Sequence, residues 1–216
     1  MSDAQPRRMA DPEYREQVWE QRYADHIKPV NEWIDSQNTP RRWMPYVSPI
    51  HSAGAHVLSV MRDPGPNSGW GEAFEEDDGE IRRGFLSMEN DDPTAEESLR
   101  LVTEVAGLDT FDVAPWSAHP FYLGHESALT ANQIGEGSKY LKMLLTQVLT
   151  NVIVVVLQGT EAKKSWASVA SRDRRFTEGY KVLYTHNPGA RALQRDREDR
   201  IAHREETWRT VGEYLS

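Results

Sequence analysis

Cysteine is absent from the 216 residues. That excludes a disulfide framework, a cysteine nucleophile and thiolate-held zinc or iron–sulfur centres. No apolar run approaches the roughly 20 residues that a membrane-spanning helix needs. Residues 1–15 are polar and charged, without the apolar centre of a secretory leader. Positive charge is also scarce: 25 Lys and Arg face 34 Asp and Glu, for a net charge of −9. Proteins that coat nucleic acid by bulk charge are basic, so acidity argues against that class; an enzyme touching a few phosphates remains allowed. From residue 172 onward ten Lys and Arg meet eight Asp and Glu, which makes the C-terminal part the one suited to face an anion. There is no internal repeat, Gly-x-Ser-x-Gly elbow, P-loop, dinucleotide fingerprint or metal-ligand pattern. Together these features read as a cytoplasmic, monomeric protein with no membrane association, no metal and no cofactor.

What is present is an alternation of elements. Asp11-Pro12-Glu13 reads as an N-cap followed by a first-turn proline. Tyr14, Val18, Trp19, Tyr23, Ile27, Val30 and Ile34 then fall on one helical face, with a break near Pro29. Residues 1–45 are thus expected to form a helical arm packed on a domain of residues 46–216. An aromatic and proline-rich loop covers residues 40–52, and an acidic, solvated one covers residues 72–80. Four strands are predicted: 57–61, 111–114 (ended by Pro115), 152–157 and 180–184. Helices are predicted from Asp92-Pro93 to Gly107, over 137–150, over 161–170 and over 194–215. Strands that alternate with helices give an α/β, three-layer sandwich: a central four-stranded, mainly parallel sheet with helices on both faces.

In open α/β sheets, sites lie beyond the carboxyl ends of the strands. Those ends are predicted to carry Arg62-Asp63-Pro64-Gly65, then Asp112 with Ala114-Pro115-Trp116, then Gln158-Gly159-Thr160, and last Thr185-His186-Asn187-Pro188. Two carboxylates and a histidine are therefore expected on one rim.

Met61-Arg62-Asp63-Pro64, Gly84-Phe85-Leu86-Ser87, Asp112-Val113-Ala114-Pro115-Trp116 and His186-Asn187-Pro188-Gly189 occur in an order that resembles the uracil-DNA glycosylase superfamily. The resemblance spans residues 57–191. It implies hydrolysis of the N-glycosidic bond of a base flipped out of DNA, as in base-excision repair. Under it, Asp63 is the carboxylate that orients water and stabilises positive charge at C1′, and His186 hydrogen-bonds the departing base. Phe85 stacks on the base, while Arg62, Asp112 and Trp116 contribute to binding it. Pro64, Gly65, Pro66, Asn67 and Ser68, with Asn187, Pro188, Gly189 and Arg191, grip the DNA backbone. The partner implied is DNA carrying a damaged or deaminated base.

Two positions depart from the family pattern. Met61 stands where a glycine is usual. Asp112 stands where an asparagine reads uracil, and an ionised carboxylate accepts but does not donate. Three alternatives follow: a base other than uracil, a base reader elsewhere, or base binding without turnover. A hydrolase of free nucleosides would use the same Asp–His pair without a phosphate-gripping rim.

Overall fold

The computed structural model describes residues 4–39, 42–70, 83–123, 128–189 and 196–216. The acidic loop at 72–80, Arg191 and the predicted start of the last helix at Gln194 lie outside the described residues.

Strands β1 (Tyr46–Val47) and β3 (Phe85–Leu86) pair in parallel as a small separate sheet. The main sheet holds β2 (Val57–Met61), β4 (Val113–Ser117), β5 (Val154–Gln158) and β6 (Lys181–Thr185). All its pairings are parallel, in the order β4-β2-β5-β6. The central strands are built of β-branched and aliphatic residues because both of their faces are covered. Leu58, Val60, Ala114, Trp116, Val155 and Leu157 belong to one core cluster, and Val57, Val113, Val154 and Val156 to the other. Helices α4 (Ala131–Gln147) and α5 (Thr160–Ala170) cover the first face. The second is covered by α3 (Pro93–Arg100), its π-helical extension Leu101–Val105, and α7 (Arg197–Leu215). A short helix, α6 (Arg175–Glu178), precedes β6. The three-layer α/β sandwich expected from the sequence is therefore the observed architecture.

Local signals place the helices. Asp92 caps α3, its Oδ1 accepting from the N–H groups of Thr94 and Ala95 at 2.8 and 2.9 Å, with Pro93 in the first turn. Thr130 and Gln133 form a capping box at α4. Gly159 has φ +101°, a conformation side chains resist, and it turns β5 directly into α5.

The N-terminal arm is two helices, α1 (Pro12–Glu20) and α2 (Lys28–Gln37), with Pro29 in the first turn of the second. Its attachment is polar as well as apolar. Tyr14 Oη donates to buried Glu89 at 2.5 Å, and the Gln5 N–H donates to the same carboxylate at 2.8 Å. Buried Asn31 behaves as an extra strand residue, bonding both the N–H and the C=O of Val47 at 2.9 Å. The arm is thus hydrogen-bonded to β1 and to the segment that follows β3.

His51 lies fully buried under the amino ends of the strands, its Nδ1 3.1 Å from the Thr110 carbonyl. Burial pushes its pKa from 6.5 down to about 4, with the hydrogen bonds to the Thr110 and Val113 backbone opposing the shift. The folded state holds this ring neutral, whereas the unfolded chain protonates it below pH 6.5. Stability is therefore lost as pH falls from about 6.5 to 4, by ~3 kcal/mol from this group. Urea unfolding at pH 7 and pH 4.5, compared between wild type and His51→Gln, is expected to show a smaller acid loss in the variant.

Candidate functional site

β2 is the first strand of the main sheet, and the chain then passes to β4 on one side and to β5 on the other. Such a switch point opens a crevice beyond the carboxyl ends of the strands. A cavity of about 620 Å³ lies there, within the range usual for small-molecule sites. Its floor is sheet: Ser59 and Met61 of β2, Pro115 and Ser117 of β4, and Gln158 of β5. Its walls come from Arg62, Asp63 and Gly65–Ser68, from residues 86–88, Asn90, residues 92–95 and Ser98, and from Asn187 and Gly189.

Asp63 is held where the β2 and β4 ladder runs on past the strands. The Ala118 and His119 N–H groups donate to the Met61 and Arg62 carbonyls at 2.8 and 3.0 Å. The Asp63 side chain is only 7% exposed and pairs with the Arg62 Nε. Burial pushes its pKa up, and Glu161 pushes in the same direction; Arg62 and His119 pull it down. The result is a carboxylate that faces a cavity with its cation beside it. It can orient water, accept a proton or stabilise a developing cation. The pKa of His119 is lowered, chiefly by burial and also by Arg42, while the Gln133 carbonyl, Glu136 and Asp63 oppose that shift.

The other expected site residues divide. Pro64 is buried beside Asp63, and Gly65, Pro66, Asn67 and Ser68 form a wall as a tight turn. The Ser68 N–H is taken by the Gly65 carbonyl at 2.9 Å, and the Asn67 amide donates to the Asp91 carbonyl at 2.6 Å. Asn187 and Gly189 form the opposite wall, where the Gly189 N–H donates to Asn187 Oδ1 at 2.8 Å. His186 points elsewhere: it is not part of the cavity lining and its ring lies 5.4 Å from that of His203. Its pKa is lowered by burial and then by Arg200, His203, Lys163 and Arg204, so it marks a basic patch beside the cavity. Trp116 contributes to the cavity wall, but its ring packs 5.9 Å from Trp33 in the larger core.

Two further expectations are corrected. Asp112 does not share the site. It precedes β4, its carbonyl accepts from the His56 N–H at the amino end of the sheet, and its side chain is 41% exposed beside His56. Its carboxylate accepts from the Asp109 N–H at 3.3 Å, a capping role. The cause is Pro115, which does not end the strand. β4 is an edge strand, where a proline's missing N–H is tolerated. Phe85 does not line the cavity either. It is fully buried, with ring centroids of Trp19 and Trp70 at 5.9 and 5.5 Å, and its neighbours Leu86 and Ser87 reach the cavity instead.

Ser117, Ser59, Gln158 and His119 were missed as site residues. A signal existed for each. The polar-x-x-Pro spacing read at Asp112 recurs at Ser117-Ala118-His119-Pro120, which is where β4 ends. Ser59 interrupts an apolar strand, and Gln158 closes one.

A buried cation holds the third wall. Arg204 of α7 is 2% exposed, and its Nη1 donates to the Pro188 and Asn187 carbonyls at 2.8 and 3.3 Å. Its Nη2 donates to Glu97 of α3 at 3.1 Å. Arg100 bridges Glu97 and Glu205, closing the network. Among the described residues, no group of three or more His, Asp or Glu is placed to hold a metal ion, and no helix is long and apolar enough to cross a membrane.

Removing a buried donor leaves its backbone acceptors unpaired. Glu97 keeps Arg100, but Arg204→Met takes the donor from the Asn187 and Pro188 carbonyls, so it is expected to lower stability by ~1–3 kcal/mol in urea unfolding. Arg62→Met removes the nearest cation from Asp63, so the Asp63 pKa is expected to rise further in a carboxyl NMR titration. An unchanged value would show that Arg62 does not hold that charge.

Among known proteins, no family model matches this chain, and no curated protein does either.

Proposed function

We propose that this chain is a DNA N-glycosylase that hydrolyses the bond between deoxyribose and a flipped uracil or other deaminated or modified base. The observation that carries the reading is the buried Asp63 carboxylate facing a cavity of about 620 Å³ at the switch point of a parallel sheet. The resemblance to uracil-DNA glycosylases supports it through the Asp63 turn, which borders the cavity, and not through Phe85 or Asp112.

Cleavage of the N-glycosidic bond leaves positive charge on the sugar and the bonding pair on the base. Asp63 is suited to stabilise the first and to take a proton from the water that attacks C1′. The proton that Asp63 takes passes by way of solvent to the departing base, so the hydroxyl of the water ends on C1′ and its proton on the base. Leu86 and Met88 give the cavity apolar surface for the faces of a flat ring. The patch of Lys163, His186, Arg200 and His203 suits backbone phosphates, so DNA is preferred over a free nucleoside. In this arrangement His186 belongs to the phosphate rim rather than to the base.

Two observations favour a second reading, base binding without turnover. The Asp63 carboxylate is engaged by Arg62, and the aromatic ring expected to stack on the base lies in the core.

The test is release of free base from single- and double-stranded oligonucleotides containing uracil, hypoxanthine, xanthine or cytosine. Wild type is expected to release at least one, and Asp63→Asn to be slower by ~10²-fold or more. The rate is expected to be present at high pH and lost as pH falls through the raised pKa of Asp63. No release from any of these substrates by folded wild type would sink the enzyme reading and leave binding alone.

A further inference from the structure

Outside the Asp63 carboxylate, the floor of the cavity holds one amide. Gln158 ends β5 and is 1% exposed. Its Nε2 donates to the Ser59 hydroxyl at 2.7 Å, across the β2–β5 pairing. Its Oε1 is buried and has no hydrogen-bond partner. Both residues line the cavity. A buried polar atom left unpaired calls for an explanation, and a ligand on that floor is one.

From this geometry we infer that the Gln158–Ser59 pair is the specificity-determining reader of the ligand's hydrogen-bonding edge. The inference rests on the base-binding reading of the cavity. A side-chain amide carries an oxygen acceptor and, in the same plane, an NH₂ group with two N–H donors. Ser59 takes one of the two N–H donors and fixes the amide plane, and the oxygen acceptor stays unpaired for the occupant. The matching ligand is a flat heterocycle that presents a ring N–H, and a base methylated at that nitrogen is excluded. Asp112, at the opposite end of the sheet, takes no part. An amide also answers the charge problem that a carboxylate reader would raise. A second anion near Asp63 would push that carboxyl's pKa further up, whereas Gln158 is neutral.

The test uses the full chain and two readouts: base release from the oligonucleotides, and calorimetric binding of free uracil and 3-methyluracil. Gln158→Met keeps the length of the side chain without its polar atoms, and Ser59→Ala frees the amide while leaving Gln158 in place. Wild type is expected to bind uracil at least tenfold more tightly than 3-methyluracil. Gln158→Met is expected to abolish that preference, and Ser59→Ala to reduce it. Thermal unfolding of both variants is expected to stay near wild type; should Gln158→Met fail to fold, Ser59→Ala decides. Wild type that releases base and discriminates the methylated ring, with both variants doing so equally well, overturns the inference and leaves the glycosylase reading standing. Loss of discrimination in Gln158→Met, with no base release by wild type, supports the inference and overturns the enzyme reading. No release and no binding of either base overturns both.

Discussion

The cavity depends on Arg204. Two of the segments around it, the loop after β6 and helix α3, share no strand pairing, and one buried guanidinium is hydrogen-bonded to both. Arg204 donates to the carbonyls of Asn187 and Pro188 and to Glu97, so the loop after β6 is tied through α7 to α3. The helix it holds, α3, begins at Asp92 and Pro93 on the cavity wall. Burying a cation costs free energy, and burial lowers the Arg204 pKa while Glu97 and Glu205 raise it. Apolar packing could join α3 to α7 without that cost, as it does lower down at Leu99, Val102, Trp208 and Val211. It could not satisfy the backbone carbonyls of a loop that ends on the cavity.

The same division runs through the rest of the molecule. The body of each strand is held by apolar clusters, and the carboxyl ends by directed polar contacts. Val57, Val154 and Val156 are wholly buried among other apolar side chains. Four residues further along, the Met61 and Arg62 carbonyls are held by the N–H groups of residues 118 and 119. Hydrogen bonds fix direction as well as distance, which a carboxylate positioned for chemistry needs and a core valine does not.

This division also decides what the sequence made legible. β2 and β5 were readable because a strand buried on both faces must be a run of Val, Leu and Ile, and both runs are there. The Asp63 turn was readable because it follows such a run directly. Pro115 misled because a proline stops a central strand but not an edge one, and which strand lies at an edge is a property of the whole sheet. Ending β4 three residues early moved Asp112 to the wrong end and hid Ser117. Phe85 misled differently. Its two-residue strand pairs only with β1, and nothing local says that Trp19 of the arm will cover it. The role of Arg204 was invisible for the same reason: its partners lie 16, 17 and 107 residues away in the chain.

Within the cavity the physical demands on Asp63 oppose one another. Burial makes a carboxylate a stronger base, and it also raises the cost of ionising it. Too little burial gives an ordinary acid in water, and too much gives a neutral one that can neither take a proton nor face a cation. Arg62 offsets the burial from one side and His119 from the other, and both attach through the same two-residue extension of the ladder. The charge state and the position of Asp63 are therefore set by one piece of backbone. A change that shifts residues 118–119 would alter both at once. A change at Gln158 or Ser59, on the floor, leaves that backbone in place, so reading the ligand and acting on it are separable within one cavity.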